Sequence, residues 1–466
     1  MSPAPRTGPA PAGDSSSAAA DLGRIPSVER LLSSAPFEPL IAHWGRDEVK
    51  RELSAFLGGL RRTPSSIPSR MEDFASGVEG RLSLSNAPSL RPVINATGVI
   101  IHTNLGRAPI DPQLLATTAG VIAGYSNLEL DLETGKRGRR NEHLSDLAAR
   151  LFGCEAALLV NNNASAVLLL LAALGRGREV IVSRGELVEI GGSFRVPEVI
   201  VQGGAILREV GTTNRTRVSD YSEAISGATS AILRVHRSNF DIVGFTESAS
   251  IADLARLAAD KGVPLLYDEG SGRVVDLEKY GFSTAPTLAE LFRLGVTAVS
   301  CSTDKLIGAT QGGLILGTRE IIEQCARHPL MRALRVGKES YAIVGETLRA
   351  FLAGQHEERI PIYRMLAMPE KELRQRAEIL AGAVGGVVVE TRVALGGGTT
   401  PTQTTASCGV AFEGAGEAVR DALLRLPRPV IVRIDEGKMI LDLRTVFPED
   451  DAYVEESLKR VMADSS

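Results

Sequence analysis

One lysine near the end of an apolar run has the surroundings that imine chemistry needs. Lys305 follows the strand-like stretch Val296–Ser300 and precedes the glycine-containing stretch Gly308–Gly313. A lysine just past a buried strand, where glycines let the backbone come close, can form an imine with an aldehyde group. For this segment taken alone, a solvated surface lysine is the commoner explanation.

An acidic residue ends a second predicted strand, because Asp268 directly follows the apolar run Pro264–Tyr267. A carboxylate in that place can keep a pyridine nitrogen protonated, so that the ring accepts electrons when an α-proton leaves. Capping of the next helix is an equally good explanation of Asp268 by itself.

A polar turn, Asn161–Ala166, lies between the predicted strand Leu158–Val160 and the predicted helix Val167–Leu174. Free amides at a helix N-terminus bind phosphate, although Asn and Ser are also ordinary helix caps. The chain order of phosphate turn, strand-end acid and lysine matches the large domain of aspartate-aminotransferase-like (fold type I) enzymes, whose cofactor is pyridoxal 5'-phosphate. The cofactor contacts predicted here, besides Lys305 and Asp268, are Asn162, Asn163, Ser165 and Ser302.

The elements around these residues predict an α/β protein with smaller flanking domains. Short apolar runs alternate with helical stretches over residues 81–340, which is typical of parallel strands joined by crossover helices and defines the cofactor-binding large domain. Residues 1–22, rich in Pro, Ala and Ser, are expected to be a disordered tail, and residues 23–80 a small helical domain. Residues 341–466 are expected to form a smaller α+β domain, with strands at Val387–Thr391, Ser407–Phe412, Val430–Ile434 and Met439–Leu443.

Composition narrows the class of protein. The chain of 466 residues has a formal net charge of −4, so its overall charge neither predicts nor excludes binding to nucleic acid. Its four cysteines form no CxxC pair and have no histidines at metal-ligand spacing, so no metal site is expected. No stretch reads as a membrane span or a signal peptide, and a cytoplasmic protein is therefore predicted.

Longer motifs point to one family. The segment Val93–Ala108, VINATGVIIHTNLGRA, closely resembles the signature of the bacterial L-seryl-tRNA(Sec) selenium transferases, or selenocysteine synthases. The resemblance extends over nearly everything after the tail, including Thr134–Arg140, Leu158–Leu169, Ser183–Val199, Glu209–Thr216 and His328–Lys338.

The resemblance implies roles for individual residues. The lysine matching Lys305 forms the internal aldimine, with the acid matching Asp304 beside it in the active site. Arginines matching Arg107, Arg332 and Arg335 bind the selenium donor, selenophosphate; the last two would share one face of a predicted helix, where a solvated basic face is the alternative. Two further residues could contact the cofactor ring or its phenolic oxygen, or make ordinary loop hydrogen bonds: His236 and Asn239.

The implied reaction begins when the amine of tRNA-borne serine displaces Lys305, whose freed amine then serves as base for the α-proton. Asp268 stabilises the electron-accepting ring, the serine hydroxyl leaves to give a dehydroalanyl-tRNA, and selenium from selenophosphate adds to give selenocysteyl-tRNA. A homo-oligomer, a decamer built of dimers, is also implied.

The basic residues suggest where tRNA could bind. In the helical domain the candidates for tRNA phosphates are Lys50, Arg51, Arg61 and Arg62, for which a solvated face is an equal explanation. The denser run Lys136–Arg140 is the better phosphate candidate, whether for tRNA, cofactor or donor, whereas Trp44 is expected in the core.

The resemblance departs from the family pattern close to the lysine. Thr303 and Ala309–Thr310 stand where the family usually has Gly and Gly-Pro, and Gly396–Gln403 also differs. These positions bear on donor specificity more than on cofactor use. Two other functions stay open: a related pyridoxal-phosphate eliminase or ammonia-lyase acting on a free phosphorylated amino acid or amino sugar acid, and a catalytically silent tRNA-binding protein.

Overall fold

The computed structural model describes residues 25–63, 66–192, 194–282, 285–400, 403–414 and 416–464. The chain divides into two compact units, Met1–Pro92 and Val93–Ser466. The expected tail, residues 1–22, lies outside the described residues. The sequence placed a domain boundary after residue 80, whereas the helix Met71–Ser85 crosses that position. The second predicted boundary, after residue 340, lies inside the larger unit.

The first unit is helical, as the apolar spacing predicted. A long amphipathic helix, Arg46–Arg62, ends before Pro64, and its buried Leu53 packs with Leu31, Phe37 and Leu82 in one apolar core. Trp44 is partly buried against this core, as expected. The other helices in the described part of this unit are Val28–Leu32, Glu38–Trp44 and Met71–Ser85, with a 3-10 turn at Ala35–Phe37.

The second unit is built around a mixed seven-stranded sheet. Its strands in chain order are β1 Ala156–Val160, β2 Glu179–Ser183, β3 Ile206–Val210, β4 Thr229–Val235, β5 Leu265–Gly270, β6 Ala298–Ser302 and β7 Gly313–Gly317. They lie side by side in the order β1-β7-β6-β5-β4-β2-β3.

The sequence predicted parallel strands joined by crossover helices, and one strand of the sheet departs from that pattern. β7 runs antiparallel to both of its neighbours, β6 and β1. An antiparallel partner can be reached by a short connection, whereas a parallel one needs a crossover of about a dozen residues or more. The short segment between β6 and β7 is the one that carries Lys305.

Helices cover both faces of this sheet. Strands such as β1, β6 and β7 are buried along their whole length, whereas the edge strand β3 is mostly exposed. Along β1, Ala157 and Leu159 enter one apolar core, while Leu158 and Val160 enter the other. The helices are Pro112–Ala123, Glu142–Phe152, Asn163–Leu174, Val196–Gln202, Val218–Ala224, Ile251–Lys261, Leu288–Arg293, Arg319–Arg327, Leu330–Leu334, Lys338–Leu352, His356–Arg359 and Pro361–Ala367. Short 3-10 turns occur at Thr103–Leu105, Arg184–Glu186 and Glu278–Tyr280, and paired two-residue strands at Glu189–Ile190 with Phe194–Arg195 and Arg215–Thr216 with Glu247–Ser248.

The C-terminal part of the unit has an antiparallel four-stranded sheet with its own apolar core. Its strands are β8 Val387–Ala394, β9 Thr404–Phe412, β10 Arg433–Asp435 and β11 Lys438–Asp442, in the order β8-β9-β11-β10. The helices Glu370–Val384, Gly416–Leu424 and Asp451–Asp464 accompany it, with 3-10 turns at Leu443–Thr445 and Pro448–Asp450.

The four predicted C-terminal strands are found, with one correction. The predicted strand Val430–Ile434 is broken, because Val430–Ile431 pairs with Ile94–Asn95 near the start of the unit and only Arg433–Asp435 joins the sheet. Within the described parts of the chain, no helix combines the length and the apolar character needed to cross a bilayer.

Candidate active site

A cavity of about 220 Å³ lies where three neighbouring parallel strands end. β4 leads to His236, Asp268 lies near the end of β5, and Lys305 follows β6. The carboxyl ends of parallel strands are where open α/β sheets bind ligands. The cavity therefore brings together several of the predicted residues: Arg107, Asn162, Asn163, His236, Asp268, Ser302 and Lys305.

Lys305 is a buried amine with a backbone partner. The residue is only 8% exposed, and Nζ donates a hydrogen bond of 3.1 Å to the carbonyl oxygen of Gly398. Burial, and after it the positive charge of Arg107, lower the pKa of the Lys305 amine. A lowered pKa leaves more of the amine neutral, which is the form that acts as nucleophile or base.

The segment around Lys305 is fixed from three sides. The Leu306 amide donates to the Ser271 carbonyl at 2.9 Å, and the buried Tyr363 hydroxyl donates to the Leu306 carbonyl at 2.8 Å. Within the turn, Thr303 Oγ1 donates to the Thr310 carbonyl at 2.6 Å. The two threonines that depart from the family pattern therefore bond to each other and close the turn that carries the lysine.

Asp268 is a buried carboxylate held by two donors. It is 4% exposed, and its Oδ1 accepts hydrogen bonds from Asn163 Nδ2 at 2.8 Å and from Ser300 Oγ at 3.1 Å. Burial raises the pKa of Asp268, while both hydrogen bonds act against the rise. A buried carboxylate of this kind is strongly stabilised by a cationic partner such as a protonated ring nitrogen.

The polar turn after β1 forms the N-terminus of the helix Asn163–Leu174. Asn162 caps this helix, since its side chain accepts the Ser165 amide at 2.8 Å. Asn163 and Ala164 line the cavity, and amides of a first helical turn have no partner within their own helix. Gly313 lets the turn pass close to β7, because a Cβ there would lie 2.0 Å from the Asn162 carbonyl oxygen. The turn can therefore hold a phosphate, whereas Ser165 contributes to the cap and does not line the cavity.

His236 lies opposite the lysine, and the structure separates it from Asn239. Its amide donates to the Asp268 carbonyl at 2.9 Å, and Nε2 lies 3.3 Å from the Thr399 carbonyl oxygen. Asn239 is exposed and donates to the Glu189 carbonyl at 2.7 Å, outside the cavity lining. The buried Ser238 lines the cavity instead, so the loop turns the neighbouring side chain inward.

Arg107 and Asp304 form an ion pair at the cavity, with Nη1 and Oδ2 separated by 2.6 Å. Arg107 has a positive φ of 65°, a conformation that costs a non-glycine residue energy and that is concentrated at functional sites. The other carboxylate oxygen of Asp304, Oδ1, is buried and has no hydrogen-bond partner among the described residues. Of this pair, Arg107 lines the cavity and Asp304 does not, so the guanidinium is the member that faces the cavity beside the lysine.

Arg332 and Arg335 lie outside this cavity. The helix that was predicted to carry both ends at Leu334, so Arg335 is extended and the two do not share a helix face. Arg335 lines a second cavity of about 340 Å³, together with Arg137, Arg139, Arg140 and Arg327. There Glu129 pairs with Arg140 at 2.6 Å and with Arg137 at 2.9 Å, and these arginines lower the pKa of Glu129, with the Arg140 hydrogen bond as the largest cause. The basic run 136–140 thus has an acidic partner.

The cavity by the lysine fits the predicted cofactor. It joins an amine for a carbonyl group, a carboxylate for a ring nitrogen and a helix N-terminus for a phosphate. Asn163 Oδ1 is buried at this site without a hydrogen-bond partner in the described part of the chain. An unpaired buried acceptor is costly, and a bound group with donors would relieve it.

Several residues at the site were not predicted from the sequence. Ser300 stands beside Asp268 in the strand register and is a polar residue in the middle of a fully buried strand, which is a signal that could have found it. The Gly398 carbonyl and the Tyr363 hydroxyl come from distant segments, and no spacing along the chain indicates them. Gln311 also lines the cavity.

Comparisons with known proteins identify the family. A family model described as L-seryl-tRNA selenium transferase matches residues 93–447. A protein named L-seryl-tRNA(Sec) selenium transferase from Hyphomonas neptunium is 42% identical over 456 residues, covering 94% of this chain and 98% of that protein. One with the same name from Carboxydothermus hydrogenoformans is 40% identical over 453 residues, covering 94% and 97%.

Solved structures agree on the fold. The structure of D-glucosaminate-6-phosphate ammonia-lyase superimposes with a TM-score of 0.59 at 20% identity, covering 80% of this chain and 96% of that one. At that identity the likeness bears on the fold alone. The predicted fold type I architecture and the resemblance seen in the motifs are both confirmed. The chain belongs to the L-seryl-tRNA selenium transferase family.

Proposed function

We propose that this protein converts L-seryl-tRNA(Sec) to L-selenocysteyl-tRNA(Sec), with pyridoxal 5'-phosphate as cofactor and selenophosphate as selenium donor. The observation that carries the proposal is one cavity holding Lys305, Asp268 and the N-terminus of the helix Asn163–Leu174, in a chain of this family. The reaction exchanges the β-hydroxyl of serine for a selenol, and phosphate is the other product.

Each part of the cavity has a proposed share in holding the cofactor. Lys305 is the covalent attachment point, Asp268 pairs with the ring nitrogen, and the amides of Asn163 and Ala164 take the phosphate. Ser302, His236 and Ser238 complete the polar lining. When bound, the cofactor withdraws electrons from the α-carbon of the substrate, which makes its proton removable.

The residues of the chain then move the proton. The Lys305 amine takes it, because burial and Arg107 lower the pKa of this amine and so favour its neutral form. Asn163 and Ser300 donate to the Asp268 carboxylate and so favour its ionised form, against the rise in pKa that burial causes. The closed surroundings of Lys305 limit water at the site.

We propose that Arg107 is the residue of this cavity that binds the selenium donor, selenophosphate. Its guanidinium can hold a selenophosphate oxygen while Asp304 fixes its position at 2.6 Å. Arg332 and Arg335 do not line the same cavity, so we propose that they serve the donor site of a neighbouring copy of the chain. That arrangement agrees with the proposed homo-oligomer.

The N-terminal helical unit is the proposed tRNA-binding part. Lys50 and Arg51 have acidic neighbours, at 3.9 Å from Glu29 and beside Glu48 respectively. Arg61 and Arg62 are exposed at the end of their helix, and are the better candidates for phosphate contacts. We place this translation-related reaction in the cytoplasm.

The test supplies the purified protein with seryl-tRNA(Sec), selenophosphate and pyridoxal phosphate, and seeks selenocysteine esterified to tRNA. Serylated tRNA(Ser) is the matched substrate control, and Lys305→Ala is the matched protein control. The proposal is supported if selenocysteine forms on seryl-tRNA(Sec) but not on seryl-tRNA(Ser), and if the Lys305→Ala protein forms none.

The same preparation tests the alternative. Ammonia released from a phosphorylated amino sugar acid, with no change to competent seryl-tRNA(Sec), would replace the proposed function with an ammonia-lyase activity. A protein that binds the tRNA but takes up no cofactor would be a tRNA-binding protein only.

A further inference from the structure

The loop segment 395–400, which follows β8, brings backbone carbonyls to two residues that line the Lys305 cavity. Two consecutive carbonyl oxygens of this loop meet site residues: that of Gly398 accepts from Lys305 Nζ at 3.1 Å, and that of Thr399 lies 3.3 Å from His236 Nε2. We propose that the Gly398 carbonyl is the acceptor that holds the Lys305 amine whenever this amine is not linked to the cofactor. Gly398 is then a positioning residue for proton transfer, and this inference rests on the proposed function.

The loop is built to hold that carbonyl in place. Thr399 is fully buried, and its Oγ1 donates to the Gly396 carbonyl at 2.6 Å, which closes the turn. The Ile101 amide donates to the Leu395 carbonyl at 2.7 Å, which ties the loop to the start of the unit. The acceptor is thus fixed by both segments rather than by the lysine itself.

The glycine at position 398 is needed for the approach. Its φ is +79°, and a Cβ there would lie 2.6 Å from Lys305 Nζ. A side chain would push the amine away from its acceptor and would also strain the backbone. Gly397 differs, since a Cβ on it would meet nothing closer than Thr103 Oγ1 at 3.8 Å.

A carbonyl acceptor suits an amine that must act as base. It engages one N–H and leaves the lone pair free to take the α-proton, whose bonding electrons pass to the cofactor. After the transfer the resulting ammonium donates to the same carbonyl more strongly. The carbonyl therefore favours the protonated form without pairing the amine with a carboxylate.

The charged groups around Nζ must be considered together with this carbonyl. Arg107 opposes protonation of the amine, while Asp268, Glu269 and Asp304 favour it. Substitution at residue 398 removes none of these charged groups, so the expected difference between variants comes from the displaced amine and its lost carbonyl acceptor. Loss of the acceptor should make the ammonium form of Lys305 less stable.

The experiment measures how fast pyridoxal phosphate becomes attached to the apoenzyme over a pH series, for wild type, Gly398→Ala and Gly397→Ala. Attachment requires the neutral amine, so the pH of half-maximal rate reports the protonation of Lys305. Gly398→Ala should shift this pH downward, and Gly397→Ala should match wild type. Exchange of the serine α-hydrogen in deuterated water with seryl-tRNA(Sec) should fall about tenfold or more in Gly398→Ala only.

Equal pH profiles in the two alanine variants would overturn the inference while leaving the proposed function intact. Failure of the wild type to take up cofactor at Lys305 would instead refute the proposed function. Should Gly398→Ala not fold, Thr399→Val replaces it, because it removes the hydroxyl that closes the turn. Thr399→Val should shift the profile downward and Thr399→Ser should restore it; a wild-type profile in Thr399→Val would contradict the inference.

Discussion

Replacing Ser300 by alanine tests how much a single hydrogen bond favours the ionised form of the buried Asp268. The Ser300 hydroxyl donates to Asp268 Oδ1 at 3.1 Å, and Asn163 donates to the same oxygen. A hydrogen bond to a charged group contributes about 1.5–3 kcal/mol, so its loss corresponds to about a 10- to 100-fold weaker hold on a cationic ring. Burial raises the pKa of Asp268, and removal of a donor raises it further.

The sign of the pH effect follows from this shift. Cofactor affinity that depends on the Asp268 carboxylate is lost as pH falls through its pKa, so Ser300→Ala should lose affinity at a higher pH than the parent. The assay is titration of non-covalent pyridoxal phosphate binding in a Lys305→Ala background, which removes the imine from the measurement. Ser230→Ala is the matched control, since this buried serine of the same sheet donates to the Glu179 carbonyl instead. Equal affinities and equal pH profiles in the two serine variants would refute the reasoning.

Further predictions concern the lysine and its turn. Borohydride reduction should fix cofactor to the wild type but not to Lys305→Ala, whereas Lys338→Ala should be labelled normally; label retained in Lys305→Ala would place the attachment elsewhere. Arg107→Ala should raise the pKa of Lys305, because burial remains but the opposing cation is gone, and the pH profile of cofactor attachment should move upward; a downward shift would contradict this. Thr303→Val loses the hydrogen bond to the Thr310 carbonyl and should lower the free energy of unfolding, measured in urea, by about 1 kcal/mol. An unchanged unfolding midpoint would show that this hydrogen bond contributes nothing to stability.

Much of the fold was predictable because its signals are local. A short run of apolar residues, such as Val180–Val182, predicts a buried strand, and apolar residues at helical spacing predict the helix Arg46–Arg62. The structure contains both the strand and the helix. The direction of β7 was not predictable in the same way. An apolar run is the same in parallel and antiparallel strands, and only the short connection after β6 carries a hint.

The site residues likewise include some with a local sequence signal and others that depend on tertiary packing. Lys305, Asp268 and the Asn162–Asn163 turn follow strands of one sheet, so their convergence could be expected from topology alone. The sequence suggested Asn239, whereas its neighbour Ser238 lines the cavity. The direction of a loop side chain depends on backbone angles that the sequence does not show. The Gly398 carbonyl depends on tertiary packing across the unit and has no sequence signature of its own.

The measurement that tests the central claim most directly is the mass of the aminoacyl-adenosine released by nuclease from tRNA(Sec) after reaction with the protein and selenophosphate. The account predicts that seryl-adenosine is replaced by selenocysteyl-adenosine, and that Lys305→Ala leaves the seryl ester unchanged. A seryl ester that survives incubation with wild-type protein fully loaded with cofactor would contradict it.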